Sequence, residues 1–176
     1  MDNTQGSLSN VGDAVLCAAK DLSASATNGR YINLKNMEGV DLLLVTGIGT
    51  AGDDPEITLT QARDASGTGA KPLNISDLKY KVGATGIGAT QDAWVTAIRR
   101  GVTTPAASYD SDPVNGAENE FMALVSVLQS DLDINNGFTH VRMNVPDVGN
   151  NAQVGTILAL PIGPAIKGRK NTSYLA

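Results

Sequence analysis

The sequence predicts an all-β protein, a β-sandwich with a jelly-roll-like layout and extended N- and C-terminal arms. Short apolar or alternating segments recur along the chain, and turn residues separate them every ~8–15 residues, a spacing typical of sandwiches. No segment has a persuasive helical period. The composition agrees, because 19 glycines and a charged fraction of only 18% suit short strands and tight turns better than solvated helices. The sequence lacks the Cys…Trp…Cys spacing that would favour an immunoglobulin-like layout.

The length of 176 residues predicts one domain with an arm at either end. Residues 1–12 are polar and contain glycine, so we expect an N-terminal arm there. Residues 13–161 are predicted to form the sandwich. Residues 162–176 follow the last apolar segment, where Pro161 and Pro164 lie, and are predicted to form a C-terminal arm.

We expect eight or nine strands, in segments that are compactly apolar or alternate between apolar and polar residues. The candidate segments are residues 13–19, 31–34, 40–45, 56–60, 73–82, 94–98, 121–128, 139–145 and 154–160. Residues 101–118 contain prolines, glycines and aspartates, and are predicted to form the longest surface loop.

The segment 56–60 alternates strictly, which predicts that Ile57 and Leu59 face a core while Thr58 and Thr60 face outward. A turn at residues 52–55 separates this segment from the buried strand predicted at residues 40–45. A hairpin of the two segments is therefore the simplest expectation.

The segment 121–128 is the most hydrophobic in the chain, and a helix could fit it. A strand is favoured because turn chemistry flanks the segment on both sides and because its apolar residues match a period of two. These residues are Phe121, Ala123, Val125 and Val127.

Charge and cysteine content exclude several classes of function. Thirteen basic and eighteen acidic residues give a net charge of −5, which repels nucleic acid. The basic residues Lys167, Arg169 and Lys170 are too few to reverse this expectation. No segment approaches the ~18 apolar residues of a membrane span, and the N-terminus does not resemble a signal peptide. The single cysteine, Cys17, cannot form an intrachain disulfide and is predicted to be a small buried residue of an intracellular protein.

Motifs for phosphate and calcium binding are incomplete. Residues 67–71 have the wrong glycine spacing for a phosphate-binding loop, and Pro72 removes an amide donor, so a hairpin or connecting loop is expected. Gly-Ile-Gly at residues 47–49 and 86–88 lacks the third glycine of a dinucleotide fold. Residues 131–137 resemble a calcium loop, but glycine is seventh instead of sixth, so a solvated turn is expected and a weak cation site is the alternative.

No catalytic, cofactor-binding or metal-binding residue is predicted. His140 is the only histidine and lies in an alternating strand, so a structural position is expected, and one histidine with one cysteine cannot supply a zinc site. Trp94 is predicted to lie in the core or at an interface, because so few aromatic residues would make a poor sugar-binding platform.

Two blocks of the sequence resemble a family of tailed-bacteriophage virion proteins. The first runs from residues 37–41 (MEGVD) to residues 57–73 (ITLTQARDASGTGAKPL). The second is residues 131–142 (DLDINNGFTHVR), followed by the apolar residues 154–158 (VGTIL). Members of that family resemble capsid decoration, or cement, proteins with β-sandwich or jelly-roll folds and no catalytic motif. The resemblance covers residues 31–162.

The resemblance implies a non-enzymatic virion protein without a cofactor, made in the bacterial cytoplasm. On the capsid surface it would bind the major capsid protein and stabilise contacts between capsomers, and copies of itself, as a trimer, are a further expected partner. A neck or tail component, a module that binds host glycans and a carboxylate-based hydrolase are alternatives. The last would need two acids facing each other across a pocket.

Overall fold

The structure is a computed structural model that describes residues 15–83, 94–146 and 148–164. These ranges contain twelve strands and three short 3-10 turns. The strands are β1 (Val15–Asp21), β2 (Thr27–Asn28), β3 (Ile32–Asn33), β4 (Met37–Thr46), β5 (Glu56–Ala62), β6 (Lys71–Leu73), β7 (Leu78–Gly83), β8 (Val95–Ile98), β9 (Ser108–Asp110), β10 (Glu120–Leu128), β11 (His140–Val145) and β12 (Val154–Pro164). No helix in the described part of the chain is long and apolar enough to cross a membrane.

Two antiparallel sheets pack against each other and form a β-sandwich. The first sheet has the strand order β1-β12-β4-β10-β7-β8. The second has the order β2-β11-β5-β6, with β3 also paired to β11 and β9 also paired to β5. The predicted all-β sandwich is confirmed.

The strand pairs are nested in the manner of a jelly roll. β1 pairs with β12, β2 and β3 pair with β11, β4 pairs with β10, and β5 pairs with β6. The strands of each pair lie, in the sequence, between the two strands of the pair named before it. This is the order of one long hairpin that is rolled up into two sheets. Strands β7 and β8 extend the first sheet beyond β10.

Alternation along the central strands builds the core between the sheets. Every second residue of β10 is buried, beginning with Phe121, and the predicted strand is confirmed. On β5, Ile57 and Leu59 are buried while Thr58 and Thr60 are partly exposed, as predicted.

The predicted hairpin of residues 40–45 and 56–60 is wrong. These segments are the main parts of β4 and β5, which lie in different sheets. Both edges of β4 are occupied, by β10 and by β12, so no edge remains for β5. Residues 47–55 therefore carry the chain from the first sheet to the second.

Other segments differ from the prediction in extent. The predicted strand at residues 73–82 is divided, because residues 74–77 cross between the sheets. Residue 73 ends β6, and residues 78–82 belong to β7. The predicted loop at 101–118 contains β9 and the 3-10 turn Asp112–Val114. Strand β12 continues to Pro164, three residues into the predicted C-terminal arm.

Candidate interface

The outward side of the first sheet is apolar at its centre. Successive side chains of a strand point to opposite faces, and on β4 the inward residues Leu42 and Leu44 are fully buried. The outward positions of β4, β10 and β12 include six partly exposed apolar residues, which we call the outer apolar face. They are Leu43, Val45, Met122, Leu124, Leu158 and Leu160.

Strand register makes this face continuous. Leu43 is paired with Leu124 of β10 on one side and with Leu158 of β12 on the other. One row along, Val45 is paired with Met122. Directly opposed residues on antiparallel strands have Cβ atoms about 4.5–5.5 Å apart, so these side chains are in reach of one another across three strands.

Lysines border the outer apolar face on the β7 side. Lys79 is paired with Leu124, and Lys81 is paired with Met122. Lys79 is exposed, and the Nζ atom of Lys81 lies 5.5 Å from the centre of the Trp94 ring. Trp94 is 37% exposed and therefore lies outside the core, beside this border.

One carboxylate interrupts the face near its end. Asp41 of β4 is paired with Ser126 on β10 and with Leu160 on β12. The Ser126 hydroxyl donates a hydrogen bond of 2.5 Å to Asp41 Oδ1. This carboxylate is therefore partly satisfied within its own sheet.

The outward side of the second sheet is polar at the corresponding central positions. On β5 and β11 these positions hold Thr58, Thr60, Arg142 and Asn144. Asn144 Nδ2 donates to Thr60 Oγ1 at 2.8 Å, and the Arg142 guanidinium lies 4.6 Å from the centre of the Tyr31 ring. The sandwich thus has one apolar and one polar outer face.

The two blocks that carry the family resemblance meet in a cluster at one end of the sandwich, which we call the end cluster. The Phe138 ring is 4% exposed, with Lys71 Nζ at 4.3 Å and the Arg63 guanidinium at 5.4 Å from its centre. Lys71 Nζ also lies 2.5 Å from Asp133 Oδ2, and this hydrogen bond lowers the pKa of Asp133. The Asp133 N–H donates to Gln61 Oε1 at 2.9 Å. These contacts tie the β5–β6 hairpin to the segment before β11.

The predicted solvated turn at residues 131–137 is exposed at residues 134–137, while its two aspartates fasten it to the rest of the fold. The 3-10 turn Gln129–Asp131 ends at the first residue of this segment, and the 3-10 turn Ile134–Asn136 lies within it. Asp131 forms an ion pair with Arg100 and accepts the N–H of Leu128 at 2.8 Å. Because Arg100 and Lys71 engage its two carboxylates, the loop does not present them to a cation. Among the described residues, no group of three or more acids, histidines or cysteines is arranged to hold a metal ion.

The glycine-rich residues 67–71 lie at the β5–β6 hairpin, in agreement with the expected hairpin or connecting loop. Asp64 Oδ1 accepts the N–H groups of Ser66 and Thr68 at 2.9 and 3.0 Å. The Asp64 carboxylate therefore closes this loop.

His140 occupies the structural position that its strand predicts. It is 6% exposed at the start of β11, and its Nδ1 atom lies 2.9 Å from Thr139 Oγ1. Burial lowers the pKa of His140, and attraction to Asp64 opposes this effect. Cys17 packs against the core but remains partly exposed, so its predicted burial is incomplete.

A shallow, open depression of about 380 Å³ lies at the edge of the end cluster. Its lining residues are Gln61, Pro72, Leu73, Asn74, Ser76, Pro105 and Asp131. The lining contains one carboxylate, that of Asp131, and Arg100 already binds it. Hydrolysis by a pair of acids requires a second carboxylate across the cleft, and this lining does not provide one.

Several predicted features lie outside the described residues. They are the N-terminal arm at 1–12, the glycines at 86–88, and the basic residues Lys167, Arg169 and Lys170. Of the predicted C-terminal arm, only residues 162–164 are described.

Comparison with known proteins gives no relative. No family model, no curated protein and no solved structure matches this chain.

Proposed function

We propose that this chain is a non-enzymatic structural protein that docks into a larger assembly through the outer apolar face. The contrast between the two outer faces carries the proposal. Leu43, Leu124 and Leu158 stabilise the first sheet by packing across its strands, but the second sheet shows that polar residues serve at the corresponding outward positions of this fold. Removing apolar surface from water contributes roughly 25 cal/mol per Å², and a contiguous apolar patch at the surface of a protein is often functional.

We further propose that the assembly is the head of a tailed bacteriophage and that the chain is a decoration protein bound to the major capsid protein. This step is supported by the sequence resemblance over residues 31–162. A rigid sandwich with one apolar face also suits a protein that lies flat on a larger surface. On a symmetric shell, many weak contacts add through multivalency. Copies of the chain, as trimers at three-fold positions, are a further proposed partner.

Quantitative mass spectrometry of purified virions tests the proposal. Hundreds of copies per particle are expected for a decoration protein. A copy number of about a dozen would place the chain in the neck or tail instead, where rings of that size occur. Absence from the virion would refute the assignment to a phage particle.

A further inference from the structure

We infer that the partner of the outer apolar face presents an apolar strip bordered by carboxylates, and that each copy binds it weakly. This inference rests on the proposed function and specifies the chemistry of the partner surface. Three features carry it: the size of the face, the charge at its border and the poor match of that border to a second copy.

The face is too small for a stable interface on its own. Strands lie ~4.8 Å apart and alternate residues ~6.8 Å apart, so each outward side chain covers about 33 Å² and the six together cover about 200 Å². A stable complex buries about 800 Å² per partner. A single copy bound through this face therefore dissociates readily, and a repeated lattice of partner molecules compensates for the weak contact.

The border of the face is positive although the protein is negative. Lys79 is exposed beside Leu124, and no ion pair joins it to another residue within 15–83, 94–146 or 148–164. The chain as a whole carries a net charge of −5. Covering the face removes water from the Lys79 ammonium, which costs free energy unless a carboxylate of the partner replaces that water.

A second copy does not place a carboxylate opposite Lys79 when the two faces are centred on each other, and the one acid on the face, Asp41, is already bound by the Ser126 hydroxyl. In a two-fold contact the same patch lies on both subunits. With the axis across the strands, β7 faces β7 and Lys79 meets Lys79. With the axis along the strands, Lys79 faces the β12 side, whose outward residues carry no acid. These residues are Thr156, Leu158 and Leu160.

Binding of the full-length chain to phage heads assembled without it tests the inference. Leu124→Ser removes the centre of the face, and Lys79→Glu reverses the charge at its border. Their matched controls lie off the face: Ile134→Ser replaces a residue that is 50% exposed, and Lys35→Glu changes an exposed lysine between β3 and β4. We expect Leu124→Ser to weaken binding by about tenfold or more and Lys79→Glu by about threefold to tenfold. The controls should bind as the wild type does.

Added salt should weaken the wild type more than a Lys79→Ala variant, because the border contact is electrostatic. Leu158→Ser serves as a second probe of the face if Leu124→Ser does not fold. Wild-type protein that does not bind heads overturns the proposed function, and the inference with it. Wild-type binding that Leu124→Ser or Leu158→Ser weakens but Lys79→Glu leaves unchanged overturns the inference alone. Binding that all three variants leave unchanged excludes the outer apolar face and overturns both the inference and docking through this face. Tighter binding by Lys79→Glu also overturns the inference, because the border of the partner would then be basic.

Discussion

The Lys71 ammonium lies 4.3 Å from the centre of the Phe138 ring. Lys71 is the first residue of β6, and Phe138 lies just before β11. The contact joins the two sequence blocks in the end cluster. A cation over an aromatic ring contributes about 0.5–2 kcal/mol, with the larger value where water is excluded. The ring is 4% exposed, but the Lys71 side chain retains 42% exposure, so we expect a value near the lower end.

A double-mutant cycle measures this coupling. Lys71→Met and Phe138→Leu each keep an apolar side chain of similar length while removing the charge or the ring. We expect a coupling of about 0.5–1 kcal/mol in the free energy of unfolding, measured with urea. Lys35→Met combined with Phe138→Leu is the control and should be additive. Additivity of the Lys71 and Phe138 changes would contradict a direct interaction.

The single histidine should make stability depend on pH. Burial lowers the pKa of His140 below its ordinary value of 6.5, so the folded state binds fewer protons than the unfolded state. The stability that this group contributes is therefore complete above pH 6.5 and is lost as the pH falls through the folded pKa. NMR titration of the single imidazole gives the pKa directly. Urea unfolding as a function of pH should show a decline that His140→Gln removes over this range, and an unchanged decline would contradict the assignment.

Two glycines of the β4 region should differ sharply in their tolerance of a methyl group. A Cβ at Gly39 would lie 2.4 Å from the carbonyl oxygen of Val127, which is backbone and cannot turn away. We expect Gly39→Ala to destabilise the fold by about 2–3 kcal/mol, because β4 and β10 must separate. At Gly47 the nearest atom is the Val154 carbonyl oxygen at 3.7 Å, so Gly47→Ala should change stability by less than about 1 kcal/mol. Equal effects in thermal unfolding would show that β4 and β10 are not this close.

Adjacent residues of β10 should respond differently to the same replacement. Val125 is fully buried, and Val125→Thr places an unpaired hydroxyl in the core, which should cost about 1–3 kcal/mol. Leu124 is partly exposed on the outer apolar face, so Leu124→Thr should cost no more than about 1 kcal/mol. Urea unfolding of the two variants measures the difference. Equal losses would show that Leu124 is packed as tightly as Val125.

Local pattern predicted the strands better than it predicted their partners. The period of two in residues 121–128 gave both the strand and its buried side, because alternation reports which face lies against a core. The hairpin of residues 40–45 and 56–60 failed because a turn signal shows that the chain turns, and does not show whether the next strand stays in the same sheet. The split of residues 73–82 at residues 74–77 was missed for the same reason.

The outer apolar face was also missed, although its signal was present. The compact apolar segment at residues 40–45 was interpreted as a buried strand, which is correct for Leu42 and Leu44 and incorrect for Leu43 and Val45. A run without alternation is apolar on both faces, and the sequence does not show whether the second face meets the same chain or another molecule. The end cluster brings together residues that are far apart in the sequence, such as Lys71 and Asp133. Its contacts could therefore not be predicted before the fold was known.

Strand β12, the last in sequence among those described, lies between β1 and β4 in the first sheet. On the ribosome the N-terminal strands emerge first, so β1 and β4 have no neighbour on these edges until β12 has been made. The order of the first sheet can therefore be completed only after residue 164 has left the exit tunnel. Pairs such as Val15 with Leu158 close loops of most of the chain length, which slows folding and leaves unpaired edges in the nascent protein. A ribosome stalled before β12 should carry a chain that is readily captured by chaperones or cut by proteases, and release of the complete strand should end that sensitivity.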